Sequence, residues 1–402
     1  MRVFRSIAGA ETRGRLAPYH LSQCFGIARG AEDTRITKTG NTRRRLRRHR
    51  SRTTRALYAA RPKNRRLPAP QPRISRFEVG CLVIARELGH TGIQISPIGL
   101  GCMGFSGGGR GGASASSQID QPRVDEIVKA ALDGGITWFD TAEAYGHGGS
   151  ERALSSGLTA CGIKPGDVTI ATKWVPVGRT AKSITRTIDD RLGALSPFPV
   201  DLHQIHMPYG SFSPLRAQVQ AMVRLAEAHK IHAVGVSKFS ARQMELTHAE
   251  LAKHGIALAS NQVQINLLHR KIESNGVLST ARQLGVTLIA YSPLRRGLLT
   301  AKFHDDPGLV AKMPRRRRKL FAGDLDRSGP LIDGLRQVAV AHSATVGQVA
   351  LAWLTCYYGD TVVAIPGASK PHHAEEAAGA MRIALSEEET RRLALLASQL
   401  SR

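Results

Sequence analysis

From about residue 86 onward, short apolar β-prone runs alternate with longer stretches whose apolar residues recur at helical spacing. Val124, Ile127, Val128, Ala131 and Leu132 lie at i, i+3, i+4, i+7 and i+8, one face of a helix that Asp133-Gly134-Gly135 stops. The next run, Ile136 to Phe139, ends in Asp140 and opens into a loop carrying Tyr145 and Gly146. Further strands are predicted over 168–173, 201–206, 233–236, 260–264, 286–291 and 362–366, with a first strand at Ile98-Gly99-Leu100-Gly101. Helical periodicity predicts helices over 183–195, 215–229, 241–253, 272–284 and 346–354. A C-terminal helix over 386–400 is announced by Ser386-Glu387-Glu388-Glu389. A short hairpin through Leu88-Gly89 and Ile93-Gln94-Ile95 precedes them all.

Eight strand units, most spaced by about 30 residues as βαβ connections require, close better into a (β/α)8 TIM barrel than they stack as an open sheet. The expected class is therefore α/β, a single barrel domain over residues 81–402. The gap between Tyr291 and Val362 breaks the rhythm. Its Pro314-Arg315-Arg316-Arg317-Arg318-Lys319 run reads as a solvated loop, with covering an anionic cofactor as the alternative. Gly99-Leu100-Gly101-Cys102-Met103-Gly104 matches G-x-G-x-x-G, but the Gly-rich segment that follows cannot open a helix. A dinucleotide-binding Rossmann unit is excluded on that ground, and a flexible loop is expected.

Charge changes the picture at the N-terminus. Residues 1–80 hold 21 Lys and Arg against four acidic residues, a net +17, whereas the remaining chain holds 36 against 27, a net +9. The arm contains Arg43-Arg44-Arg45-Leu46-Arg47-Arg48 and shows no sustained period, so it is expected to be disordered. A tether to nucleic acid or acidic surfaces, an organelle transit peptide and a non-structural extension compete as readings. The last is favoured, because no nucleic-acid-binding motif interleaves the arginines. No nucleic-acid partner is expected, although the arm leaves it open. No run of about 18 apolar residues suggests a membrane span. Cys24, Cys81, Cys102, Cys161 and Cys356 are odd in number and lack C-x-x-C. Neither a disulfide framework nor a zinc site is expected, and a reducing, cytoplasmic compartment fits. Oligomeric state is not legible.

Three consecutive strands end in ionisable residues: Asp140, Lys173 and His206. In a barrel, C-terminal strand ends meet at one mouth, so these three and Tyr145 are placed to converge. His203 and His206 alternate to opposite faces and make a poor metal pair. Singly, each residue has a structural explanation, a snorkelling lysine or a satisfied core histidine.

From Val83 to Leu400 the sequence resembles the aldo-keto reductase superfamily. G-I-T-W-F-D-T-A-E-A-Y-G, around Asp140 and Tyr145, is similar to that family's G-x-x-x-F-D-T-A-x-x-Y-G, and Q-I-H-M-P, around His206, to its Q-x-H-x-P. The resemblance implies a catalytic tetrad of Asp140, Tyr145, Lys173 and His206 that reduces an aldehyde or ketone to an alcohol with NADPH, NADH being possible. Tyr145 would be the proton donor. Lys173 would stabilise its phenolate, Asp140 would hold Lys173, and His206 would orient the carbonyl or share the proton.

The resemblance also implies cofactor contacts. Ser237, Asn261 and Gln262 would hold the nicotinamide carboxamide, with Tyr291 stacked on its ring. Ser292, Leu294, Gly297 and Leu299 would line the pyrophosphate path. Gly101, Met103, Ile365, Gly367, Ser369, Lys370, His373 and Glu376 complete the set, with the 2′-phosphate near Ser369-Lys370 at a helix N-terminus. Lys238, Arg295, His373, Ala377 and the Ser369-Lys370 order depart from the family pattern, with Lys370 and Arg295 as candidates to compensate. Trp174 and Met207 are read as pocket walls or core. A non-catalytic nicotinamide-nucleotide sensor on the same fold is the alternative function. The substrate itself, expected to be a small carbonyl compound, is set by loops and is not legible.

Overall fold

A computed structural model describes residues 85–106, 119–313 and 315–400. The basic arm over 1–80 and most of the Gly-rich loop expected after Phe105 lie outside the described residues. The hairpin forms from β1 (Arg86–Glu87) and β2 (Gln94–Ile95), paired antiparallel. Eight parallel strands follow: β3 (Leu100–Gly101), β4 (Trp138–Asp140), β5 (Thr169–Trp174), β6 (Leu202–Ile205), β7 (Ala233–Ser237), β8 (Leu258–Gln264), β9 (Thr287–Tyr291) and β10 (Val362–Ile365). Each pairs with the next, and bridges from Ile98 to Ala364 and Gly101 to Gly367 join the two ends, so the sheet closes on itself.

The interior explains the alternation. Trp138, Ala171, Leu202, Ala233, Ala259, Ile289 and Val363 come from the successive strands β4 to β10 and pack with Leu88 and Ile95 of the hairpin. Gly89 donates to Thr287 Oγ1 at the start of β9 (2.8 Å), so the hairpin stoppers the N-terminal end of the barrel. Two residues further along their strands, Asp140, Lys173 and Gln204 occupy the same inward face near the C-terminal mouth. Hydrophobic contacts thus fill the lower barrel and leave a polar layer at the top.

The surrounding helices are α1 (Gln121–Asp133), α2 (Gly149–Ala160), α3 (Lys182–Arg186), α4 (Ile188–Leu195), α5 (Leu215–Glu227), α6 (Ala241–Ala252), α7 (Val277–Leu284), α8 (Lys302–Asp305), α9 (Gly308–Ala311), α10 (Arg315–Arg327), α11 (Gly329–Ala341), α12 (Val346–Tyr357), α13 (Pro371–Gly379) and α14 (Glu387–Gln399). The acidic start of α14 is a reciprocal cap, in which Ser386 N donates to Glu389 Oε2 (2.7 Å) and Glu389 N to Ser386 Oγ (3.2 Å).

Four elements differ from the pattern along the chain or go beyond it. No hydrophobic period marks α2, because its buried face is Ser150, Glu151, Leu154, Ser155, Gly157 and Leu158, too polar and small for one to show. The single helix over 183–195 is broken at Thr187 (φ −107°), whose Oγ1 accepts from Arg179 Nη2 and donates to Ser183 O, both at 2.8 Å. The arginine run does not make a loop: Arg315–Arg327 is helical, as arginine and lysine are strong helix formers and Asp324 gains ion pairs with Arg295 and Arg327. Cys102–Phe105 forms a 3-10 turn directly after β3, ahead of the Gly-rich segment.

Candidate active site

At the end of β4, Asp140 is 2% exposed, and opposite it at the end of β5 Lys173 is fully buried. The Lys173 ammonium donates to Asp140 Oδ1 in a short contact and to Thr141 O at 2.7 Å. Asp140 Oδ2 accepts from two further side chains, Gln262 Nε2 at 2.8 Å and Gln204 Nε2 at 3.2 Å. Burial acts to lower the Lys173 pKa, but Asp140 and Tyr145 outweigh it and hold the ammonium above its ordinary range. A buried charge persists only when paired and hydrogen-bonded, as here.

Lys173 Nζ stands 5.1 Å from the centre of the Tyr145 ring, and His206 meets that ring edge-on at 5.9 Å. Burial pushes the Tyr145 phenol upward, Lys173 pulls it down and Asp140 opposes Lys173. The net position is above the ordinary range, so the phenol carries its proton at neutral pH. Burial, Lys173 and Lys238 together push His206 down to about 3 and keep its imidazole neutral. His206 Nδ1 is buried and has no hydrogen-bond partner. A neutral imidazole and a protonated phenol, backed by a buried ammonium, form an arrangement able to bind a carbonyl oxygen and hand it a proton.

The loop carrying Tyr145 is held by Glu143, to which sequence reasoning assigned nothing. Its carboxylate takes Arg179 and Arg191 in short ion pairs and accepts from Val175 N at 2.6 Å, and its own N–H donates to Lys173 O at 3.3 Å. Arg191 also reaches Glu151 (3.1 Å), whose Oε1 accepts from Thr172 Oγ1 at 2.5 Å. These partners lie far apart in the chain, and no local motif announces them. Gly146 (φ +65°) completes the turn, where a Cβ would meet Ser106 O at 2.3 Å.

The cofactor candidates divide. Ser237 Oγ donates to Gln262 O at 2.9 Å, so the ends of β7 and β8 interlock, while Tyr291 is half-buried at the end of β9. Asn261 faces the other way. Its amide donates to Phe239 O (2.9 Å) and Met244 Sδ (3.1 Å) and accepts from Phe239 N (3.2 Å), so it pins the β7–α6 turn instead of pointing into the barrel. Leu299 is core, with no exposed side chain to line a path. Arg295 is committed to Asp324 at 2.7 and 3.0 Å, which removes it as a compensating cation. Trp174 is also core, its Nε1 donating to Ser183 Oγ at 3.0 Å.

Around the second cluster, a Cβ on Gly101 would lie 3.1 Å from Ile365 O, so the β3 and β10 ends touch and only glycine fits comfortably. Ser292 (φ +51°) and Gly297 (φ +91°) shape the loop after β9, beside Leu294. Met103 is exposed, as are Gly367, Ser369 and Lys370, while Glu376 is partly exposed on α13. Lys370 is the N-cap of α13 and offers no side-chain cap of its own. His373 Nδ1 lies 3.3 Å from both Ser369 N and Ser369 Oγ. Burial first, then His372, Lys302 and Lys370, push His373 down to about 4. Lys302, which the sequence did not single out, lies against Gly297, where a Cβ would meet its Nζ at 2.7 Å. An uncapped helix N-terminus ringed by Lys302, Lys370 and His373 fits a phosphate group.

A closed (β/α)8 barrel with a polar layer and an embedded Asp–Lys pair at its C-terminal mouth defines a barrel of the strand-end-site class. The sequence profile of the Aldo/keto reductase family matches residues 97–397, and the chain belongs to that family. It is 35% identical to aldo-keto reductase YhdN of Bacillus subtilis (strain 168) over 178 residues, 42% of this chain and 51% of YhdN, so the match spans about half of that relative. It is 31% identical to the chloroplastic pyridoxal reductase of Arabidopsis thaliana over 321 residues, covering 76% of this chain and 84% of that one. The crystal structure of an aldo-keto reductase from Klebsiella pneumoniae in complex with NADPH superposes with a TM-score of 0.60 at 25% identity, covering 78% of this chain and 94% of that chain. Among the described residues, no single helix is long and apolar enough to cross a membrane.

Proposed function

We propose that this protein reduces an aldehyde or ketone to an alcohol with NADPH, with Tyr145 as proton donor. The observation that carries the reading is the unbroken series Asp140–Lys173–Tyr145–His206, in which a buried, doubly anchored ammonium lies against a protonated phenol. When bound, NADPH supplies hydride to the carbonyl carbon. Ser237, Gln262 and Tyr291 would hold its nicotinamide, and Ser369, Lys370, His373 and Lys302 its phosphates. The orphaned His206 Nδ1 and the uncapped start of α13 are consistent with ligand groups there.

The chain's own work is electrostatic. Negative charge that develops on the substrate oxygen needs a donor that gives its proton only as the charge appears. Tyr145 keeps its proton at rest, while Lys173 lowers the cost of the phenolate left behind, each unit of pKa being worth about 1.36 kcal/mol. Asp140 keeps Lys173 charged and in place. His206, neutral at any physiological pH, can hydrogen-bond the carbonyl without competing as a second acid.

Loss of NADPH absorbance on mixing with a panel of aldehydes and ketones tests the reading, with Tyr145→Phe as the control. Turnover by the natural chain and none by the variant, with NADPH binding retained, is expected. Near-normal turnover by Tyr145→Phe would overturn the assignment. Nucleotide binding without turnover of any carbonyl would favour the sensor alternative.

A further inference from the structure

Lys238 directly follows β7 at the barrel mouth, and its backbone is left-handed, φ +62°. That conformation is unfavourable for a residue with a β-carbon, and such outliers gather where function needs a side chain aimed in one direction. The Lys238 N–H donates to Gln262 O at 2.8 Å, which fixes the turn relative to the residue that anchors Asp140. From there the exposed side chain reaches over the end of β9 until Nζ stands 5.9 Å from the centre of the Tyr291 ring. That separation is at the outer limit of roughly 6 Å for a cation over an aromatic face, so the ammonium is held weakly.

Its charge is uncompensated. Both site carboxylates are taken, Asp140 by Lys173 and two amides, Glu143 by Arg179 and Arg191. Among the described residues, no ion pair includes Lys238. Yet it belongs electrically to the site: it contributes to the lowering of His206, and Lys173 contributes to its own lowering after burial. Two ammonium groups, Lys173 and Lys238, therefore act on one mouth, and neither of its carboxylates pairs with Lys238. Tyr209 and Phe212, on the loop after His206, are exposed aromatics.

We propose that Lys238 receives a carboxylate carried by the substrate, so that the preferred substrates are aldehyde or keto acids. The inference rests on the reading of this site as a carbonyl reductase. A charge-assisted hydrogen bond to a carboxylate is stronger than a marginal contact with Tyr291, so a carboxylate displaces the ammonium from its resting place. The chemistry needs no new reactant, since Lys238 only binds and orients.

The test compares 4-carboxybenzaldehyde with 4-carbamoylbenzaldehyde, the same shape with and without the charge, at constant ionic strength in the full chain. The natural chain is expected to favour the carboxylate by about tenfold or more in kcat/KM, chiefly through KM. In Lys238→Met the ratio of the two kcat/KM values should fall to about one, and in Lys238→Arg it should be largely restored. A ratio near one in the natural chain, or an unchanged ratio in Lys238→Met, would overturn the proposal. Calorimetric binding of benzoate, with benzamide as the neutral control, separates this from the reductase reading, because it requires no turnover. Benzoate bound about tenfold more weakly by Lys238→Met supports the subsite even if no carbonyl is reduced. Equal binding by both proteins sinks it even if reduction is fast.

Discussion

Gln262 Nε2 donates to Asp140 Oδ2 at 2.8 Å, joining the end of β8 to the end of β4 and leaving Oδ1 for the Lys173 ammonium. The carboxylate is thus oriented by two neutral amides, Gln262 and the longer Gln204, and used by one cation. Gln262→Leu removes a hydrogen bond to a buried charge, and a loss of about 1.5–3 kcal/mol in urea unfolding is expected, with lowered turnover. Unchanged stability and unchanged kcat would show that Gln204 alone orients Asp140.

Lys173→Met leaves the Asp140 carboxylate buried without its cation. Removing one partner of such a pair costs about 3–5 kcal/mol, whereas replacing both by apolar groups is often near neutral. Lys173→Met is therefore expected to be strongly destabilised and the double variant Asp140→Leu with Lys173→Met to regain most of the stability. Neither should regain turnover, because Tyr145 then loses the charge that stabilises its phenolate, a loss expected to be about 10²–10⁴-fold in kcat. Denaturation midpoints and single-turnover rates together check both halves.

Glu143 ties the Tyr145 loop to the segment after β5 through Val175 N, Arg179 and Arg191. Glu143→Gln keeps the shape but weakens both ion pairs. Since the geometry of Tyr145 and not the cofactor region is affected, kcat should fall by about tenfold or more with little change in the Kd for NADPH. Equal losses in both would place Glu143 in a general structural role.

His203 is buried on the outward face of β6, and burial, then Arg191 and Arg179, push it down to about 3. Its folded pKa is depressed, so the unfolded chain takes up the proton first as the medium acidifies. The stability due to the neutral ring is complete above about pH 6.5 and is lost as pH falls towards 3. His203→Gln should narrow the difference in unfolding free energy between pH 7 and pH 4.5 by about 2 kcal/mol. An unchanged pH slope in the variant would show that other groups govern acid unfolding.

At the start of α13, Lys370→Ala should raise the Kd for NADPH by about tenfold and that for NADH much less, since only the former carries the additional phosphate. Fluorescence titration with both nucleotides reads this directly. Equal effects would place Lys370 outside the phosphate site.

What the sequence determined was periodic or motif-bound. Apolar runs of strand length set the order of β3 to β10, and Asp140, Lys173 and His206 could be placed together because parallel strands in a barrel end at one mouth. What it could not determine was anything that depends on parity across strands or on distant partners. A register shift between β7 and β8 at Val234 and Gly235 breaks the simple alternation, and only the folded sheet shows that Gln262 turns inward to Asp140 while Asn261 turns outward to Phe239 and Met244. Glu143 reads as an ordinary loop acid until folding brings Arg179 and Arg191 to it, and Arg295 as a free cation until α10 presents Asp324. Local pattern is written by hydrophobic burial along one segment, but pairing of charges is decided where separate segments meet, and only the tertiary structure holds that information.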